Sequence, residues 1–124
     1  MAVKILVADD EPFIARSLSY VLERAGYDVH IARDGEEALS KAREIEPELI
    51  ILDLMMPKKT GYEVVQELRS DGRLKDVRIV LLTAKGQKSD RDRVLEAGAD
   101  RCLSKPFSPS QILSEVREML AEVQ

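Results

Sequence analysis

A single cysteine, Cys102, leaves this chain no internal disulfide and no spacing for a zinc site. Basic residues are not in excess either: 19 Lys and Arg stand against 23 Asp and Glu, for a formal charge of −4. That balance gives no reason to expect nucleic acid or an anionic membrane as a direct partner. No apolar run approaches the ~18 residues of a spanning helix. The amino terminus has neither a basic segment nor a signal-length apolar core. Repeats, low-complexity stretches and linkers are also missing. What remains is the profile of one domain over residues 1–124, with no effector domain beside it. A chain of that size buries enough surface to hold a core without staples. A reducing, cytoplasmic setting is the expectation.

Apolar runs alternate with amphipathic segments from end to end. Strands are predicted over 3–8, 27–32, 48–54, 77–83 and 100–104. Between them Ile14, Leu18, Val21, Leu22 and Ala25 share a helical face, as do Ala38, Leu39, Ala42 and Ile45. Val64, Val65 and Leu68 do the same, followed at the end of the chain by Ile112, Leu113, Val116 and Leu120. Capping signals open three of the helices, at Asp34–Glu37, Thr60–Glu63 and Ser108–Gln111, and Gly26 and Gly72 stand where helices should stop. A further helix over 87–98 offers only Val94, Leu95 and Ala97 as an apolar face, so it should be weakly held. Strand–helix alternation implies right-handed crossovers and a parallel sheet covered on both faces. The near-continuous runs at 3–8, 48–54 and 77–83 belong at its centre. The expected fold is therefore a doubly wound, flavodoxin-like (βα)5 domain with strand order 2-1-3-4-5.

Ligands of such sheets sit at the carboxyl ends of the strands, near the switch point. The first strand runs into Asp9, Asp10 and Glu11, with Pro12 suited to a first helical turn. Acids favour a helix amino terminus, but one would serve that purpose; two at the strand tip suggest a cation site. Asp53 interrupts the apolar run ELIILDLMMP, where a lone acid is costly unless paired or used. The fourth strand ends in Thr83 and the fifth in Lys105. Three carboxylates without nearby His or Cys make a hard oxygen site, suited to Mg²⁺ rather than zinc or copper. A divalent ion, an ammonium and a hydroxyl donor around a carboxylate are what phosphoryl transfer needs. Asp53 could then be a nucleophile that forms an acyl phosphate.

The pieces LVADDEP, LIILDLMMPKKTGYEVV, IVLLTA and EAGADRCLSKPFSP, in that order, resemble the receiver domain of two-component response regulators along the whole chain. The resemblance implies a signalling switch whose only chemistry is Mg²⁺-dependent phosphorylation and dephosphorylation of itself. It makes Asp53 the phosphoacceptor and Asp10 the main Mg²⁺ ligand, with Asp9 assisting through water and the Met55 carbonyl completing the protein's share. Thr83 would follow the phosphoryl oxygen, Lys105 would pair with it, and Ala84 is the small residue that leaves the site open. Lys105–Pro106 matches a cis peptide bond. The implied donor is a sensor histidine kinase or a histidine phosphotransfer protein. The implied target is an output protein or fused effector domain, with change carried by the face formed by segment 87–98, the fifth strand and the last helix. The tail SKPFSPSQIL resembles receivers of DNA-binding regulators, which implies a homodimer formed on phosphorylation.

Cys102 departs from the family pattern, which has Tyr or Phe three residues before the strand-5 Lys. It is expected to be a compact, half-buried hydrophobe, so that a Thr–aromatic switch cannot operate unchanged and the signal travels through 84–92. Arg101 and Glu115 hold positions where the dimer-forming relatives would carry acid and base, so their signs are swapped. His30 should be solvated on an edge strand, and Lys58 and Lys59 should face solvent. Met55 and Lys85, two residues past Asp53 and Thr83, supply no water-activating carboxylate, which points to slow self-hydrolysis. Other readings fit the residues less well. A haloacid-dehalogenase-type phosphatase also uses an Asp nucleophile and Mg²⁺, but needs Asp-x-Asp where Asp53-Leu-Met55 stands. A pseudo-receiver, an interaction module that is never phosphorylated, normally lacks one of the acids or the Lys, and none is lost.

Overall fold

A computed structural model of the protein describes residues 2–83 and 97–121. In chain order the elements are β1 (Lys4–Ala8), α1 (Pro12–Arg24), β2 (Asp28–Ala32), α2 (Gly35–Ile45) and β3 (Leu49–Asp53). They are followed by α3 (Gly61–Ser70), β4 (Arg78–Thr83), β5 (Arg101–Ser104) and α4 (Pro109–Ala121). The strands form one parallel sheet in the order β2-β1-β3-β4-β5. The expected helix over 87–98, together with Ala84 and Lys85, falls on or across residues outside those described.

Every side chain of β3 is buried, and β1 and β4 expose at most their first residue. Such strands can exist only with both faces covered, and two apolar layers cover them. On one face Leu6, Ile50, Leu52 and Leu81 pack with Ala38 and Leu39 of α2 and Val64, Val65 and Leu68 of α3. On the other, Ile5, Val7, Ile51 and Leu82 pack with Leu18 and Leu22 of α1 and Ile112, Val116 and Met119 of α4. Ala15 and Met119 are buried members that the helical spacing did not select.

The helix ends follow local chemistry. Thr60 accepts from the Glu63 N–H while Glu63 accepts from the Thr60 N–H, a complete capping box. Ser108 and Gln111 repeat the exchange at α4. At α2 the Asp34 carboxylate caps the Glu37 N–H, but Glu37 reaches back to the Arg33 N–H, one residue beyond the cap. Gly26 carries φ 101 past the end of α1, a conformation that glycine tolerates without a Cβ clash. Gly72 stands just past the end of α3, directly after the extended cap Asp71, but without a positive φ. The left-handed residue that ends α2 is Glu46, at φ 47.

Of the three side chains expected to be solvated, Lys58 is exposed, while His30 and Lys59 are partly buried. Half-buried His30 places Nε2 3.4 Å from Asp28 Oδ1. Lys59 donates to Glu67 of α3 at 2.7 Å, and Lys58 lies 3.7 Å from Asp34. At the amino ends of β3 and β4, a groove of about 670 Å³ is spanned by Arg69. Its guanidinium donates to the carbonyls of Lys75, Val77 and Gly98 and to the Asp100 carboxylate. That arginine holds the end of the molecule away from the acids, using the fork of guanidinium donors to reach four acceptors.

Arg101, at the start of β5, reaches Glu115 Oε2 at 2.6 Å and Glu118 Oε1 at 3.0 Å on α4. The charges whose signs looked swapped therefore pair within one chain. Arg101→Ala should lower stability by about 1 kcal/mol, because these side chains are about three-quarters buried or less and solvent screens them. Urea denaturation at low and high salt would check this, and a loss that does not shrink at high salt would contradict it.

Candidate functional site

The acids at the opening of the chain divide their work by position. Asp9 follows the last residue of β1 and is buried, with only 1% of its surface exposed. Its Oδ1 accepts the Glu11 N–H at 2.9 Å, while Oδ2 has no hydrogen-bond partner. Asp10 is exposed, and Glu11 is the N-cap of α1 without any side-chain capping bond. No acid lies in the first turn of α1, so helix-dipole stabilisation does not account for the cluster.

Asp53 ends β3, adjacent to β1 in the sheet, and it too is buried. Its Oδ1 accepts the Met55 N–H at 3.3 Å, and its Oδ2 lies 3.4 Å from the Lys105 ammonium. The same ammonium stands 3.7 Å from Asp9 Oδ2. Lys105 is delivered by the chain leaving β5, where its N–H bonds the Thr83 carbonyl at 2.8 Å and the Lys105–Pro106 peptide is cis. Carboxylate oxygens of Asp9, Asp10 and Asp53 all lie within 4.8 Å of one another.

Burial is the main force raising the carboxyl pKa of both Asp9 and Asp53 above the ordinary range. For Asp53 the Lys105 charge and the Met55 N–H oppose it; for Asp9 the Glu11 N–H opposes it and the Asp53 charge adds to it. Three acids around one ammonium leave the pocket short of positive charge. A divalent cation fits that shortage, since hard oxygens surround it and the buried Asp9 Oδ2 has no hydrogen bond. Asp9, Asp10 and Asp53 are the side chains that could hold it.

Thr83 ends β4 one residue beyond Leu82, which is in register with Asp53. Its hydroxyl meets the Cys102 thiol at 3.7 Å, and both residues are buried. Cys102 is thus fully, not half, enclosed. Met55 extends outward beside the pocket at 70% exposure. All the expected site residues among those described converge on the carboxyl end of the sheet. Asp34 and Gly35 of α2 also abut the loop after Asp53, contacts that no sequence signal had marked.

A doubly wound parallel sheet with an acid cluster and a lysine at the carboxyl ends of its strands belongs to the class of α/β domains that bind ligands at the topological switch point. The model of the response regulator receiver domain family matches residues 5–117, and the chain belongs to that family. It is 49% identical over 117 residues to the alkaline phosphatase synthesis transcriptional regulatory protein PhoP of Bacillus subtilis, covering 94% of this chain and 48% of that protein. It is 51% identical over 120 residues to the probable transcriptional regulator ycf27 of Porphyridium aerugineum, covering 97% of this chain and 49% of that one. The chain therefore spans about half the length of these curated relatives. Among solved structures, chemotaxis response regulator CheY4 of Vibrio cholerae superposes with a TM-score of 0.90 at 35% identity, over 95% of this chain and 98% of that one. The Francisella response regulator 1452 receiver domain gives 0.91 at 30% identity, over 98% and 99%.

Proposed function

We propose that this domain is a two-component signalling switch that takes a phosphoryl group on Asp53 with Mg²⁺ as cofactor. The observation that carries the reading is the convergence of Asp9, Asp10 and Asp53 beside Lys105 at the switch point. Asp10, Asp53 and the Met55 carbonyl would hold the ion, with Asp9 assisting through water. Bound there, Mg²⁺ would neutralise charge on the phosphoryl oxygens.

The Met55 N–H fixes one oxygen of Asp53, orienting the carboxylate for attack on phosphorus. With a phosphohistidine donor, the P–N bond breaks as the P–O bond of the acyl phosphate forms, and the imidazole leaves. The Lys105 ammonium, already drawn in by two carboxylates, is positioned to exchange them for a phosphoryl oxygen. Thr83 would donate its hydroxyl to a second oxygen once it leaves Cys102, and Ala84 would be, by resemblance, the small residue that leaves the site open. The partners are a sensor histidine kinase or phosphotransfer protein upstream and an output protein or fused effector domain downstream, in the cytoplasm. The output runs through the face of segment 87–98, β5 and α4. A homodimer across that face must displace the Arg101 pairs made within the chain. Cys102 cannot act as an inward-moving ring, so coupling rests on Thr83 and its neighbours.

Incubation with acetyl phosphate tests the reading directly. Intact mass should show one phosphoryl group gained with Mg²⁺ and none with EDTA. A parent chain that gains nothing even at seconds after mixing would sink the proposal, leaving the interaction-module reading in its place.

A further inference from the structure

The loop from Leu54 to Thr60 carries Met55, and it is fastened at both ends. At its base the Gly61 N–H bonds the Leu54 carbonyl at 2.8 Å, and a Cβ on Gly61 would fall 2.9 Å from the Leu54 Cα. The tip is more unusual. Lys58 sits at φ 72, a conformation costly for a residue with a side chain, and the Lys59 N–H reaches back to the Pro57 carbonyl at 2.8 Å. This is a three-residue γ-turn of the rare, strained positive-φ kind.

Strain of that sort persists only where surroundings over-determine it. Here the surroundings are the amino end of α2. The Gly35 N–H donates to the same Pro57 carbonyl at 3.2 Å, and Asp34 pairs with Lys58 at 3.7 Å. Gly35 is buried, and a Cβ on it would meet the Lys59 carbonyl oxygen at 2.3 Å and carbon at 2.8 Å. Those are backbone atoms, so any side chain at residue 35 must push the loop away.

We propose that Gly35, with the Asp34–Lys58 pair, is a positioning residue for the Mg²⁺ site: the amino end of α2 sets where the loop presents the Met55 carbonyl. The inference rests on the proposed Mg²⁺ role of Met55 and adds to it a residue that touches neither metal nor phosphoryl group. Met55 lies between the two fastenings, with its own N–H committed to Asp53. A push at the tip is therefore passed along residues 55 and 56, which join the tip to the base. Residues that orient a metal ligand from outside the coordination shell commonly change affinity by tens-fold.

The test is Mg²⁺ titration of the whole domain, followed by backbone amide shifts, with the metal-free unfolding midpoint measured alongside. Gly35→Ala should raise the Mg²⁺ dissociation constant about tenfold. The double variant Asp34→Asn/Lys58→Gln keeps a capping oxygen at residue 34, so it tests the same idea should Gly35→Ala not fold, and it too should bind more weakly. Leu120→Ala, half-buried on α4 and remote from the loop, is the control for general loosening: its midpoint should drop and its affinity should not change. Parent-like affinity in both loop variants, or equal weakening in Leu120→Ala, would overturn the inference while leaving the Mg²⁺ site intact. A parent that binds no Mg²⁺ would instead overturn the reading beneath it.

Discussion

Asp53→Asn should gain no phosphoryl group from acetyl phosphate and Mg²⁺, yet unfold later than the parent when metal is absent. Both halves follow from one environment. An amide oxygen is far too weak a nucleophile to replace a carboxylate, so uptake falls to nothing measurable. The Asn side chain is nearly the same shape and can still accept the Met55 N–H, so the loop keeps its anchor. Burial disfavours the ionised form of Asp53, more than the Lys105 charge and the Met55 bond favour it. Removing that charge should therefore stabilise the metal-free fold on the order of 1 kcal/mol, several degrees for a domain of this size. Intact mass and thermal melts on the same samples check both. Residual uptake would move the phosphoacceptor elsewhere; a lower melting temperature would contradict the electrostatic account.

The second large effect is a reversal of stability by pH and Mg²⁺. Asp9 and Asp53 hold their protons more tightly when folded than the ordinary value of 3.8 for an unfolded Asp. The folded state then binds more protons in the window above 3.8, so stability falls as pH rises there. What these groups contribute is fully present below the unfolded pKa and is lost as pH passes the raised folded values. Other ionisable groups also titrate across that range, so the informative quantity is the difference between the parent and Asp9→Asn. That difference should grow with pH in EDTA, Asp9→Asn becoming the more stable protein. Mg²⁺ at a hundredfold its dissociation constant should then return about 2.7 kcal/mol to the parent at neutral pH. Much less should return to the variant. Denaturant titrations across the acid-to-neutral range, with and without Mg²⁺, decide it. A difference that stays flat with pH would remove the buried carboxylates as its source.

Much of this architecture could be read from residue order. The apolar runs that became β1, β3 and β4 are continuous because both faces are covered, which also fixes them at the centre. The placement of Asp9, Asp53, Thr83 and Lys105 followed from one rule about strand ends, so the site residues could be listed before their distances were known. Contacts between side chains remote in sequence were less legible. Lys59 looked solvated because nothing in PKKT announces Glu67, and the half-burial of His30 on an edge strand had no signal of its own. Gly72 marked the end of α3 correctly, since the helix stops at Ser70 with Asp71 as its cap, although the glycine adopts no left-handed conformation. Gly35 was invisible for a further reason. A glycine selected by what approaches it looks, in sequence, like any other glycine.

The thiol of Cys102 leaning on the Thr83 hydroxyl has a practical side. With one cysteine in the whole sequence, any thiol-directed reagent has a single address, and that address lies under the end of the sheet where the chemistry is proposed. At 7% exposure the thiol is reached mainly when the fold opens locally, so its reaction rate counts such openings. Nature has thus supplied a built-in stopwatch for this edge of the sheet, readable without adding a fluorophore or altering a residue.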